Sequence, residues 1–229
     1  MKNLYYFGLV FLVLSSCKSL NISNLHNGSI LEQKLPPLEP DFDIDSFGPD
    51  YADLYDIPNI ILRGGIEPEN VVRNVTTEMT IAEDTRRLFD REVIFNISER
   101  TGKTKGYAVC RKGVRSKGIK SYVHPTISII TLGLANLFGM TAVEYTDELE
   151  IIIDIYNLDN EIVGSYAGLG KGSAKMKMYT GYSKRDAKRM AHGRAFVQAL
   201  EDIKFQIRED HQKLVDLLLN EEEIITDQG

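Results

Sequence analysis

Residues 145–169 read YTDELEIIIDIYNLDNEIVGSYAGL, and the alternation inside them decides the fold. Leu149, Ile151, Ile153 and Ile155 alternate with Glu148, Glu150 and Asp154. Side chains alternate faces along a strand, so this one has an apolar face for a core and an acidic face for water. Asp159-Asn160 supplies a turn, and Glu161 to Leu169 returns as the second strand of an antiparallel hairpin. Gly164, Gly168, Gly170 and Gly172 follow late in that strand. Glycines there mark a bulge, a twist or a close backbone approach. They do not form a phosphate loop, because Gly172 stands after Lys171 where Ser or Thr is required and the spacing is not GxGxxG.

Downstream, Ser183 is placed to cap a long helix, with Asp186 three residues on as a variant of the capping box. Met190, Val197, Leu200, Ile203 and Ile207 make an apolar stripe, and Ala187, Ala191, Ala195 and Ala199 let the helix lie close to a sheet. Upstream, residues 78–98 carry Met79, Ala82, Leu88, Phe89, Val93 and Ile97 at helical spacing, with Asp84, Arg87 and Arg91 on the other face. Lys105 to Lys112 reads as a strand, residues 119–131 are β-rich, and Asn59-Ile60-Ile61-Leu62-Arg63 reads as a short strand ended by Gly64-Gly65. The expectation is one α+β domain over 59–210: a two-layer sandwich whose mainly antiparallel sheet is packed by the C-terminal amphipathic helix.

The rest of the chain is expected to lie outside that domain. Residues 17–58 are polar, then Pro-rich, then acidic, and read as a tether. Residues 211–229 read as an acidic tail, with Glu221-Glu222-Glu223 onward frayed. No Asp, Glu, Lys or Arg occurs between Lys120 and Glu144. Pro125, Gly133, Asn136 and Gly139 interrupt that stretch, which favours a buried strand and a short apolar helix over a membrane span.

The first residues supply the address. Lys2 precedes the apolar run Leu4 to Leu14, which is too short to span a bilayer, and Ser15-Ser16-Cys17 follows. Leu14-Ser15-Ser16-Cys17 resembles the lipobox of bacterial lipoproteins. The resemblance implies a signal peptide over 1–16, cleavage before Cys17, and acyl chains on Cys17 that hold the protein to a membrane. Lys18 is not the aspartate that typically retains lipoproteins at the inner membrane, so the expected location is the outer membrane. The layout of 59–208 also resembles small outer-membrane lipoproteins with one sheet and a packing C-terminal helix.

Composition fits a tethered domain. The 229 residues are 43% hydrophobic and 26% charged, which excludes both a polytopic membrane protein and a fully disordered chain. Two cysteines exclude a disulfide framework. With Cys17 lipidated, Cys110 has no partner and reads as a buried apolar filler in a strand. The formal charge of −6 becomes −7 once Lys2 leaves with the signal, so the protein is not drawn wholesale to anionic lipid.

Chemistry is sparse. His26, His124, His192 and His211 are scattered, with no HExxH or CxxC, so neither a metal site nor a cofactor is expected. Residues 100–120 hold eight Lys or Arg and no acid, and 171–194 are similarly basic. These either pair with the acids of 145–161 or form a patch for anionic groups, for which Lys184, Arg185, Lys188 and Arg189 are the candidates. Nucleic acid is not an expected partner of a secreted acidic chain with no reader motif. The leading expectation is a lipid-anchored, non-catalytic binding or assembly component of the cell envelope with an envelope protein as partner. One rival is a lipid or small-molecule binding module with an apolar pocket near 126–140, lined by Ile127, Ile129 and Phe138. The other is a hydrolase using Cys110, with His124 as base, or a carboxylate pair.

Overall fold

The computed structural model describes residue 25 and residues 28–48, 68–121, 141–177 and 182–219. In chain order these form β1 (Leu38–Phe42), α1 (Pro68–Glu92), β2 (Gly106–Ser121), β3 (Thr141–Asn157), β4 (Ile162–Lys177), α2 (Lys184–Glu209) and α3 (His211–Leu219). A π-helical turn, Val93–Ile97, ends α1. The sheet order is β1-β2-β3-β4, with β1 parallel to β2 and the other pairs antiparallel. Helices cover one face, so the fold is the expected α+β two-layer sandwich with α2 against the sheet.

The hairpin forms as its alternation dictates. Leu149, Ile151, Ile153 and Ile155 are buried, and Asn160 takes a left-handed φ of 62° in the turn. The Asn157 side chain accepts from Glu161 N at 2.8 Å and closes that turn. Ser183 caps α2, its hydroxyl accepting from Asp186 N at 3.1 Å.

The late glycines of β4 serve close approach. A Cβ on Gly168, Gly170 or Gly172 would meet the carbonyl oxygen of Ala199, Ala195 or Ala191 at 2.3, 1.8 or 1.9 Å. The two repeats match in length: two strand residues advance about 6.6 Å and four helix residues about 6 Å, so one alanine meets one glycine at each step. On the neighbouring stripe of α2, polar side chains close the free edge of β4. Asp202 accepts from Leu169 N and Gln198 from Lys171 N, while Gln206 donates to Ala167 O and Arg194 to Ser173 O. An open strand edge invites pairing with another chain, and here one helix seals it.

Two boundaries and two stripe residues differ from expectation. Residues 28–48 belong to the fold instead of to a tether: Leu31, Leu35, Leu38 and Phe47 are buried, and β1 adds to the sheet edge beside Gly106–Cys110. Their apolar residues show no period because the segment is successively strap, strand and turn; Pro40 is tolerated because β1 is an edge strand. The acidic tail likewise begins later than 211, since Leu214 and Leu218 of α3 lie in the core, one helical turn apart. Met79, expected on the buried stripe of α1, is 61% exposed, whereas Phe196, omitted from the α2 stripe, is fully buried beside a half-buried Val197. The expected strand at 59–63 and the frayed end from 221 lie outside the described residues.

Candidate functional site

Among the described residues, the sequence-predicted positions do not converge. Cys17, His124 and the stretch 126–140, including Ile127, Ile129 and Phe138, lie outside the described residues. Cys110 is fully buried in β2, and burial, then the charges of Asp43 and Asp154, push its thiol well up. A buried thiol held protonated is a poor nucleophile, which counts against the thiol version of the hydrolase reading. The basic patch divides. Lys184 and Arg185 are exposed on the first turn of α2, whereas Arg189 bonds Asp84 of α1 at 2.7 Å and Asp186 at 3.4 Å, and Lys188 is half-buried. Arg189 is therefore a bolt between α1 and α2. The basic stretch of β2 also turns to the acids opposite, with Arg111 on Asp154 at 2.5 Å and Arg115 on Asp147 at 2.6 Å.

What the structure does bring together is a set of buried charges under α2. The side chain of Arg115 of β2, 4% exposed, holds Asp147 of β3 through its Nε and Nη2, and Glu78 of α1 through Nη1 at 2.9 Å. Lys117 reaches the same Glu78 oxygen at 3.1 Å. His192 of α2 places Nδ1 2.9 Å from Asp147 Oδ2, with the edge of its ring toward Phe47. Burial alone would raise the Asp147 carboxyl, but the hydrogen bonds and charges of His192 and Arg115 hold it at about 2. Burial, then the Arg115 charge, lowers the His192 imidazole, against the pull of Asp147. The ring is thus neutral at pH 7, donating from Nδ1 to the carboxylate, and its Nε2 is left as a lone-pair acceptor.

A carboxylate that fixes an imidazole tautomer is the pairing used to orient a general base. Here Nε2 is itself buried and without a hydrogen-bond partner among the described residues, so it faces no solvent from which a substrate would arrive. Among the described residues, no group of three or more His, Cys, Asp or Glu is placed to hold a metal ion. Four elements are locked together by this cluster, and its arrangement is structural.

A second buried cluster lies a few turns along α2. Lys204 is fully buried, donating to Glu92 at 3.1 Å and to the Ser29 carbonyl at 2.7 Å, and pairing with Glu201. Glu201 accepts from the Ser29 N–H at 3.1 Å and from its hydroxyl, and Asn96 donates to Glu92 at 2.9 Å. Leu31 N adds a bond to Asn96 O at 3.1 Å. This cluster clamps the chain where it enters the domain. Gly28 sits over the charges, and a Cβ there would come within 3 Å of Glu92, Glu201 and Lys204.

Neither cluster was found by sequence reasoning, yet one signal was there. Asp147 shares the inward parity of Leu149 to Ile155, and an acid on an apolar face announces a buried partner. No protein-family model matches the chain, and no curated protein is significantly similar to it.

Proposed function

We propose that this chain is a bacterial lipoprotein, anchored in the outer membrane by acyl chains on Cys17, whose α+β domain is a non-catalytic binding or assembly component of the cell envelope. The observation that carries the reading is Leu14-Ser15-Ser16-Cys17 directly behind a short apolar run with Lys2 at its head. One further fact supports it: the other cysteine, Cys110, is buried and unsuited to modification. One acyl chain binds marginally, at about 0.8 kcal/mol per buried CH₂, and two or three hold firmly.

Cys17→Ala tests this directly. The variant is expected to keep its leader and to leave the membrane fraction, while the wild-type protein has the intact mass of a cleaved, acylated chain. A wild-type mass showing a bare thiol or an uncut leader rejects the anchor.

A further inference from the structure

The clamp on residues 28–31 shortens the link between Cys17 and the domain, and so decides which face the anchored molecule turns to its membrane. Leu25 is already packed, half-buried in the cluster with Ala187, Met190 and Ala191, its Cδ1 filling the space over Gly193 of α2. Eight residue steps separate Cys17 from Leu25, at most about 29 Å of fully extended chain. Beyond Leu25 the chain is held by Glu201, Lys204 and Asn96 and cannot pay out more length without breaking the hydrogen bonds that Ser29 and Leu31 make to them.

Leu25 itself sits beside the basic first turns of α2, whereas exposed apolar side chains gather about two helical turns further along, around the clamp at Ser29. Ile30 is 61% exposed immediately after the clamped Ser29. Ile94 and Phe95, on the π-helical turn next to the Asn96 that binds Leu31, are exposed, and so is Phe205, one helical turn beyond Glu201. Cations frame Phe95: the Arg100 guanidinium lies 4.4 Å over its ring, and Lys34 Nζ donates to its carbonyl at 2.8 Å. Glu32 and Glu99 are the exposed acids beside them, so the patch is close to neutral. That charge balance suits insertion of apolar side chains among lipid head groups, with arginine snorkelling, better than attraction by net charge.

We infer that Ile30, Ile94, Phe95 and Phe205 form a face that rests on the phospholipid bilayer in which Cys17 is anchored. The inference builds on the lipid-anchor reading and adds an orientation to it. A short link holds this face near the bilayer at an effective concentration of order millimolar, so a contact too weak to bind a free protein suffices once the chain is tethered. The solvent face of the sheet, with Leu169, Glu148 and Lys171, is then turned away and left for a protein partner.

The chain has no Trp, so a single one reports on its own site. Full-length acylated protein carrying Phe95→Trp, and a second carrying Ile30→Trp, would be reconstituted in phosphatidylcholine vesicles with brominated acyl chains. Leu169→Trp serves as the opposite-face reference. Emission from Phe95→Trp and Ile30→Trp is expected to fall at least about twofold relative to unbrominated vesicles, with Leu169→Trp unchanged. Unquenched emission at both positions in protein shown by mass to be acylated overturns the orientation and leaves the anchor standing. Blue-shifted but unquenched emission means the face is covered by protein, and overturns it equally. Bare Cys17 in the starting protein rejects both readings together.

Discussion

The two flanks of α2 are joined to the molecule by opposite means. Toward β4 the helix meets glycines, and backbone packs on backbone because side chains are missing on both sides. Toward α1, β2 and the N-terminal strap it meets polar side chains, mostly buried and all partnered: neutral His192 on the Asp147 carboxylate that Arg115 also holds, and Lys204 between Glu92 and a half-buried Glu201. The first seam fixes a distance. The second fixes which residues face one another, since a buried charge tolerates few partners. An apolar helix could slide or rotate over a glycine ladder, and the ion pairs stop it.

The glycine seam should be the less forgiving of the two. In Gly170→Val the new Cβ would lie 1.8 Å from Ala195 O and 2.7 Å from Ala199 N, both backbone atoms that move only if the helix lifts. Lifting α2 uncovers Ile151, Ile153 and Phe196 and exceeds the ordinary overpacking cost of about 1–3 kcal/mol. The expected result is loss of the native fold, seen as the absence of a cooperative urea transition. A Gly170→Val protein that unfolds with wild-type midpoint and slope would show that the seam is not tight.

Next in size is the removal of one charge from the other flank. Arg115→Met leaves the carboxylates of Asp147 and Glu78 buried and short of their shared cation, a change that costs about 3–5 kcal/mol where it has been measured in other buried pairs. The double variant Arg115→Met with Asp147→Leu removes charge on both sides and should recover part of the loss, because a matched apolar replacement is often tolerated. Failure to recover any of it in the denaturation midpoint would mean that the charges do more than satisfy each other.

The same contrast explains what could be read from the chain in advance. The hairpin, its turn, the capped helix and the alanine and glycine repeats follow from steric rules that act between near neighbours, and each of them formed. The polar seam depends on meetings between residues far apart, such as Glu78 with Arg115 and Ser29 with Glu201. Arg115 in particular reads locally as one more cation of a basic run. The strap of residues 28–48 is illegible in the sequence for a related reason. Leu31, Leu35, Leu38 and Phe47 are buried by what they lie against, and their spacing has no repeat. A continuous period reveals an element, while a segment that wraps an existing core carries none.

Acid should separate the flanks most finely, because only the polar seam contains buried groups whose pKa values are shifted. Asp147 is held at about 2 against 3.8 for a free side chain, so its contribution, about 2 kcal/mol, is complete above the higher value and disappears as pH falls through the lower. His192 acts in the same direction from a different cause. Its pKa is lowered by burial from the ordinary 6.5, so below that pH the unfolded chain takes up a proton that the folded chain refuses, and stability drops. The urea midpoint should therefore fall in two stages, first below pH 6.5 and then more steeply below 4. His192→Gln removes the titrating ring and should flatten the first stage; the second should shrink without vanishing, because Arg115 still holds the Asp147 carboxyl down after His192 is gone. Identical profiles in the two proteins would place the acid sensitivity elsewhere and strip His192 of its part in the seam.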